Sequence, residues 1–423
     1  MAISINIQPS TWIAAGNPVL YRVGGNQYLN GGQARPDYKI VCKLFRIDLI
    51  GGVPQVPVLI GTFVGIPSIS KTFVTASITY YFVDFNLAEP ILADLPTPHF
   101  SATIGRTTSN VIRTYKADFN EFYDNVNGAV VPSSVCAAIP AGRPILRNYD
   151  LATVIAQHLS PGAGQRFLNN VVPGIGRMLY NQPLTLNFYN SYTSGFLNLK
   201  ATAWYLDGNA STSATFFIYT GGNPGVNFVQ WQILLSNVSW ATNIGDPFFG
   251  ADLSAPFDAE NIYQISFEVT NPSTTVSEVL TYQVLHAEQF RYGRTYYYVN
   301  SLGFMETLVT TGLRMAKNKL QADDAEVFAN NTNAASTKIL NGNLAQYNHL
   351  ITPEYVQSVG YTSPTLYNAF RDFVRSRFKC LKIGAYYYPI VLSKMEFDDE
   401  SDDQTLFGHE FTYKLASLEG YVL

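Results

Sequence analysis

The segment Tyr263-Gln-Ile-Ser-Phe-Glu-Val-Thr270 alternates apolar and polar residues without interruption. A period of two sets Tyr263, Ile265, Phe267 and Val269 on one face of an extended chain and Gln264, Ser266, Glu268 and Thr270 on the other. Such a segment gains from burial as a strand whose sheet is packed on one side and wet on the other. Leu184-Thr-Leu-Asn-Phe188 repeats the pattern. Further apolar runs, Phe196 to Tyr205, Ala214 to Tyr219, Val229 to Leu235 and Leu280 to Leu285, complete the strands of an antiparallel sandwich over 183–290.

The other regions read in the same terms. In 1–103, Pro18 to Val23, Tyr38 to Leu49, Val58 to Phe63 and Ala76 to Phe85 predict strands of a first sandwich. Tyr38 to Leu49 is apolar on both faces, as suits a strand covered on both sides. In 104–182, Leu151, Val154, Ile155 and Leu159 fall at helical spacing, and Pro161-Gly162 would stop the helix. That segment reads as a connector. In 291–423, Ser301-Leu-Gly303 marks a hairpin, 318–345 reads as a polar loop, and Ser363-Pro364 opens a helix with Leu366, Phe370, Phe373 and Val374 on its apolar stripe. Lys379 to Ile383, Tyr386 to Leu392 and Phe411 to Leu415 read as strands. The predicted fold class is mainly β, with tandem antiparallel Ig-like β-sandwich regions, a few short helices and a mixed C-terminal domain.

Charge narrows the function. Charged residues are only 14% of the chain, while Tyr and Phe number 28 and 27. Interfaces deplete charge and enrich aromatics, so this composition suits a subunit covered by neighbours. A net charge of −4 argues against a nucleic-acid partner, which needs a basic face for phosphates. The first residues carry no basic segment followed by a long apolar core, so no signal peptide is expected. The best apolar run, Val58 to Ile69, is broken by Gly61, Gly65 and Pro67, so no membrane helix is expected. Cys42, Cys136 and Cys380 are far apart and odd in number, which implies neither a zinc site nor a disulfide framework.

Motifs for chemistry are missing. His99, His158, His286, His349 and His409 are scattered, and none has a His or Cys at metal-ligand spacing. Gly162-Ala-Gly164 and Gly174-Ile-Gly176 fall short of a phosphate-binding loop. The acidic run Glu396 to Asp403 offers oxygens for a hard cation but lacks the glycine and closing Glu of a calcium loop, so a solvated turn is the simpler reading. Trp12, Trp204, Trp231 and Trp240 could form an aromatic platform for sugars. No catalytic, cofactor-binding or metal residue is singled out, and the chain reads as a non-enzyme without a cofactor.

Two tyrosine triplets stand out, Tyr296-Tyr297-Tyr298 and Tyr386-Tyr387-Tyr388. Consecutive tyrosines occupy both faces of a strand, and a single-sided sheet covers only one. The six are therefore the candidate assembly interface. The alternative is that the helix near 364–376 covers the second face inside the same chain.

Two stretches resemble a known family. The opening, Gln8-Pro-Ser-Thr-Trp12 followed by Asn17-Pro-Val-Leu-Tyr-Arg22, resembles the start of virion structural proteins of tailed bacteriophages and prophages of Bacteroidetes-type hosts. The ending resembles the C-terminal module of tail or baseplate proteins: helix, strand, Tyr-rich stretch, Pro389 to Leu392, acidic loop, and Tyr413-Lys-Leu-Ala416. Asn300-Ser-Leu-Gly303 before Glu306-Thr307 fits too, although Gly-Phe-Met stands where two glycines before the aromatic are expected. The resemblance implies a structural virion protein of a tail, tail hub, ring or baseplate, made in the host cytoplasm and acting by assembly. Its implied partners are further copies of itself and other virion proteins, with no nucleic acid and no membrane. The rival reading is a surface or fibre protein that binds cell-surface glycan, and a glycan-degrading enzyme stands behind it.

Overall fold

The computed structural model describes residues 3–50, 53–96, 105–109, 112–142, 155–160, 164–169, 175–189, 196–208, 211–220, 228–235, 261–271, 274–286, 288, 290–326, 344–362, 364–383, 386–394 and 407–416. Strands make up 61% and helix 8%, so the chain is mainly β. It divides into two compact units, one of residues 1–284 with 299–306, the other of 285–298 with 307–423. The regions 1–103, 104–182 and 183–290 of the sequence reading thus fall in one unit, apart from residues 285–290.

The first part of unit one holds β1 (Ile3–Ile7), β2 (Trp12–Ala14), β3 (Leu20–Gly25), β4 (Lys39–Ile47), β5 (Val58–Gly65), β6 (Thr72–Thr75), β7 (Ile78–Asn86) and α1 (Ala88–Asp94). Next come β8 (Gly105–Ser109), β9 (Arg113–Tyr123) and β10 (Cys136–Ile139). One sheet has the order β1-β3-β7-β6, the other β2-β10-β9-β4-β5. Their inner faces share a core: Tyr21, Val23 and Phe85 from the first meet Ile40, Cys42, Leu44, Ala117 and Phe119 from the second. Tyr21 and Phe85 both lie against the Phe119 ring, at 5.5 and 5.9 Å between centroids. Ile40, Cys42 and Leu44 alternate with the half-buried or exposed Val41, Lys43 and Phe45. Only one face of β4 is therefore fully covered. The 104–182 stretch is not a mere connector, because β9 pairs with β4 from Thr114↔Ile47 to Phe122↔Lys39 in the middle of the sheet. Ala76 is not a strand residue. With Ser77 it takes positive φ (49° and 65°), the geometry of a two-residue hairpin turn that joins β6 to β7.

The rest of unit one contains β11 (Ile175–Leu179), β12 (Leu184–Tyr189), β13 (Phe196–Tyr205), β14 (Thr212–Thr220), β15 (Phe228–Ile233), β16 (Ile262–Asn271) and β17 (Leu280–Leu285). A small sheet, β8-β15-β12, shares a core with a larger one, β11-β17-β16-β13-β14. Leu184, Leu186 and Phe188 stand opposite Ile233, Trp231 and Val229 in register, and all six are buried. Each such side chain contributes about 1.5–3 kcal/mol on burial. The predicted helix over 148–159 is a single π-turn at Ile155–Leu159 in its described part. Residues 148–154 lie outside the described residues, as does the acidic run 396–403.

Two expectations for these strands are corrected. Pairing of β13 with β16 is regular to Trp204↔Gln264, then slips so that Tyr205 faces Ile262. The bulge flips the alternation by one residue. Ile262 is therefore buried with Ile265, Phe267 and Val269, while Tyr263 is 40% exposed. Nor is the polar face of β12, with its partner β15, wet. Thr185, Asn187, Gln230 and Gln232 are all buried. Asn187 accepts from Gln230 Nε2 at 3.0 Å, donates to the Met305 carbonyl, and has its backbone N–H bound by Asn169 Oδ1 at 2.8 Å. Asn187, Gln230 and Asn169 thus satisfy one another, whereas Thr185 Oγ1 and Gln232 Oε1 are buried without a hydrogen-bond partner among the described residues.

Residues 299–306 form a hairpin tip seated in unit one. Leu302 and Phe304 join Ala14, Ile139, Leu168 and Phe228 in one apolar cluster, with Phe304 stacked on Phe228 at 4.7 Å. Asn300 organises the tip. Its Oδ1 accepts from the backbone N–H of Leu302 and Phe304, both at 3.0 Å, and its Nδ2 donates to the Leu168 carbonyl and to Glu306 Oε2. Gly303 has φ +88°, and a Cβ there would meet Pro140 at 2.6 Å, so no other residue fits.

Unit two holds β18 (Arg294–Val299), β19 (Met305–Thr310), β20 (Arg314–Glu326), β21 (Leu344–Thr362), α2 (Pro364–Arg375), β22 (Lys379–Ile383), β23 (Tyr386–Lys394) and β24 (Phe407–Leu415), with the residues of β18 and β19 next to the tip counted in unit one. They form one sheet, β19-β18-β22-β23-β24-β21-β20. The predicted helix is present from Pro364. The predicted polar loop 318–345 is corrected: residues 314–326 and 344–362 form a long antiparallel hairpin, and 327–343 lie outside the described residues.

Candidate assembly surface

The tyrosine triplets occupy different places from those expected of an interface. Tyr296, Tyr297 and Tyr298 are fully buried within the chain. The α2 helix covers one face, with Phe373 edge-on to Tyr296 at 5.8 Å and to Tyr298 at 5.6 Å. Tyr297 points to the other face and meets Tyr387. Tyr387 and Tyr388 are half-buried, and Tyr386 alone of the six stays largely exposed, at 71%. Both faces of β18 are closed because a helix lies on one and an aromatic partner from β23 on the other.

The exposed apolar area lies elsewhere. Strand β5 ends one sheet of the first sandwich and β6 ends the other, and residues 66–71 join them. Gly65 lets this end close, since a Cβ there would meet Val83 Cγ1 at 2.3 Å. Along this end Val56 is 85% and Ile66 75% exposed, and Leu59, Val64, Ile69 and Val74 are also exposed. Lys71 is the only charged residue between Asp48 and Asp84. Edge strands are normally blunted by charge or proline, because an open edge invites another strand. Here Leu59, Val64 and Val74 on the two edge strands, with Val56, Ile66 and Ile69 in the flanking segments, expose branched aliphatic side chains with Lys71 as the one charge among them. The sequence signal is this nearly charge-free stretch, which reads as strand at Val58 to Phe63 and is too interrupted for a membrane helix.

Several ionisable groups are buried. Glu121 on β9 is fully buried and accepts at Oε1 from the Tyr38 hydroxyl and from the Gln27 backbone N–H. Burial raises its pKa above the usual carboxylate range, against the opposing pull of those hydrogen bonds and of Arg35. Lys379 on β22 is pushed down to about 8 by burial. His158 bonds the Phe167 carbonyl at 2.8 Å, and His409 stacks on Tyr367 and Phe370. Cys42, Cys136 and Cys380 are buried and free. Among the described residues no group of three or more His, Cys, Asp or Glu is placed to hold a metal ion, and no helix is long and apolar enough to cross a membrane. Trp231 is buried, Trp12 and Trp204 are half-buried, and Trp240 lies outside the described residues.

No protein-family model matches the sequence, and no curated protein matches it.

Proposed function

We propose that this chain is a structural component of a bacteriophage virion, in a tail, tail hub, ring or baseplate, and that it acts by protein–protein assembly. In this reading the paired sheets of unit one are Ig-like sandwiches serving as rigid blocks, and the chain works as a homo-oligomer that also docks other virion proteins. It carries out no reaction and needs no cofactor. The observation that supports it is the exposure of aliphatic side chains along β5, β6 and their flanking segments, Val56 and Ile66 foremost, with Lys71 as the only charge among them. Burying such side chains against a neighbour gains about 25 cal/mol per Å² of apolar area, a gain a free monomer forgoes.

The test is association of the full chain, alone and with candidate virion neighbours, followed by light scattering and negative-stain imaging. Rings or mixed complexes that disappear in Val56→Asp/Ile66→Asp are the expected result. A native chain that stays monomeric at high concentration and beside those neighbours overturns the reading, as does reproducible turnover of polysaccharide or peptidoglycan that one Asp or Glu substitution removes.

A further inference from the structure

Among the described residues, strand β20 is the last strand of the unit-two sheet, paired on one side with β21. Its other edge is a row of backbone donors and acceptors thirteen residues long, Arg314-Met-Ala-Lys-Asn-Lys-Leu-Gln-Ala-Asp-Asp-Ala-Glu326, with no proline or glycine to interrupt it. Its charges are sorted by sign. Arg314, Lys317 and Lys319 occupy the first half, and Asp323, Asp324 and Glu326 the second.

That order is self-complementary. When two copies of the strand run antiparallel about Leu320, Arg314 of one stands opposite Glu326 of the other, and Lys317 opposite Asp323. The pairing with β21 steps regularly from Arg314↔Gln357 to Gln321↔Leu350. At the irregularity β20 advances two residues, Gln321 to Asp323, while β21 advances three, Leu350 to Tyr347, so the extra residue lies on β21 and the period of β20 is kept. Lys317 and Met315 are exposed, and Glu354, opposite Lys317 in the hairpin, is engaged by Lys414 at 3.0 Å.

We infer that β20 is a homotypic docking edge, at which a second copy of this chain adds its own β20 antiparallel and joins two sheets into one across a twofold axis. Charges placed only to blunt an edge need carry no order and repel best when they are alike. Sorted opposite charges instead repel a parallel or shifted copy and accept one antiparallel register. A twofold contact also has the self-matching form that an isologous interface requires. The inference names the occupant of one edge within the assembly reading, yet it stands on a different surface from β5 and β6.

The test uses the full chain and two charge variants, Arg314→Glu/Lys317→Glu and Asp323→Lys/Glu326→Lys, in sedimentation velocity across a concentration series. Native protein self-associates, and less so at high salt. Each variant alone places like charges opposite one another and should associate roughly tenfold more weakly or worse. An equimolar mixture of the two should restore pairing as a heterodimer, which a merely damaged hairpin could not do. Should either double variant fail to fold, the single substitutions Lys317→Glu and Asp323→Lys make the same comparison. Native protein that remains monomeric, variants that associate as the native chain does, a mixture that does not pair, or binding at β20 of a different protein only would each overturn the inference. Val56→Asp/Ile66→Asp should leave this pairing intact, so its failure and that of the apolar end are told apart.

Discussion

Tyr297 and Tyr387 meet edge to face, with ring centroids 5.2 Å apart and planes at 81°. Tyr297 is fully buried and Tyr387 half-buried, so the pair closes the face of β18 that α2 leaves uncovered. Replacing Tyr297 by Ser should cost roughly 3–5 kcal/mol, the usual range for emptying a buried aromatic site. Tyr387→Ser should cost less, because part of that ring already meets solvent. Urea titration of both variants checks this. An unchanged midpoint for Tyr297→Ser would return the triplet to the status of a surface contact.

Glu121 ties stability to pH. Its folded pKa lies above the ordinary 4.5 because burial disfavours the charge. A carboxyl raised in the folded state favours folding at low pH, and that contribution is lost as pH rises from the unfolded value through the folded one. Glu121→Gln keeps an acceptor for the Tyr38 hydroxyl without the charge. The melting temperature of the variant minus that of the native chain should therefore be near zero in acid and grow as pH passes upward through this window. A difference that is flat with pH would show that Glu121 ionises as an ordinary glutamate.

Asn300 is the hub of the hairpin tip, with four hydrogen bonds to backbone and Glu306. Asn300→Ala strands the Leu302 and Phe304 N–H groups in an apolar cluster, a loss of roughly 2–4 kcal/mol. Calorimetry would register it as a lower melting temperature. Hydrogen exchange should speed up at residues 302–304 first.

The apolar end of the first sandwich should separate assembly from stability. Val56 and Ile66 are so exposed that Val56→Asp and Ile66→Asp should move folding stability by no more than about 0.5 kcal/mol. Their effect should fall on association, read by light scattering. A large loss of melting temperature with assembly unchanged would make these side chains part of the fold instead of a contact.

What the sequence determined by itself is local and periodic. Strict alternation at Leu184–Phe188 and along Ile265–Thr270 gives strands because only an extended chain gathers those side chains on one face, and Pro364 starts a helix because its fixed φ suits the first turn. The charge-free stretch from Leu49 to Ser70 was equally visible in the sequence, but its meaning was not, since exposure depends on which strands end their sheets. Tertiary structure alone decided that β9 crosses from the supposed connector into the first sandwich, and that a bulge turns Tyr263 outward in favour of Ile262. It also decided that Thr185 and Asn187 are buried, and that α2 and Tyr387 enclose the tyrosines of β18. The physical reason is common to all four. A side chain's face follows from the chain's own period, but what covers that face is supplied by residues distant along the chain or by a one-residue slip in pairing, and neither leaves a mark in the local sequence.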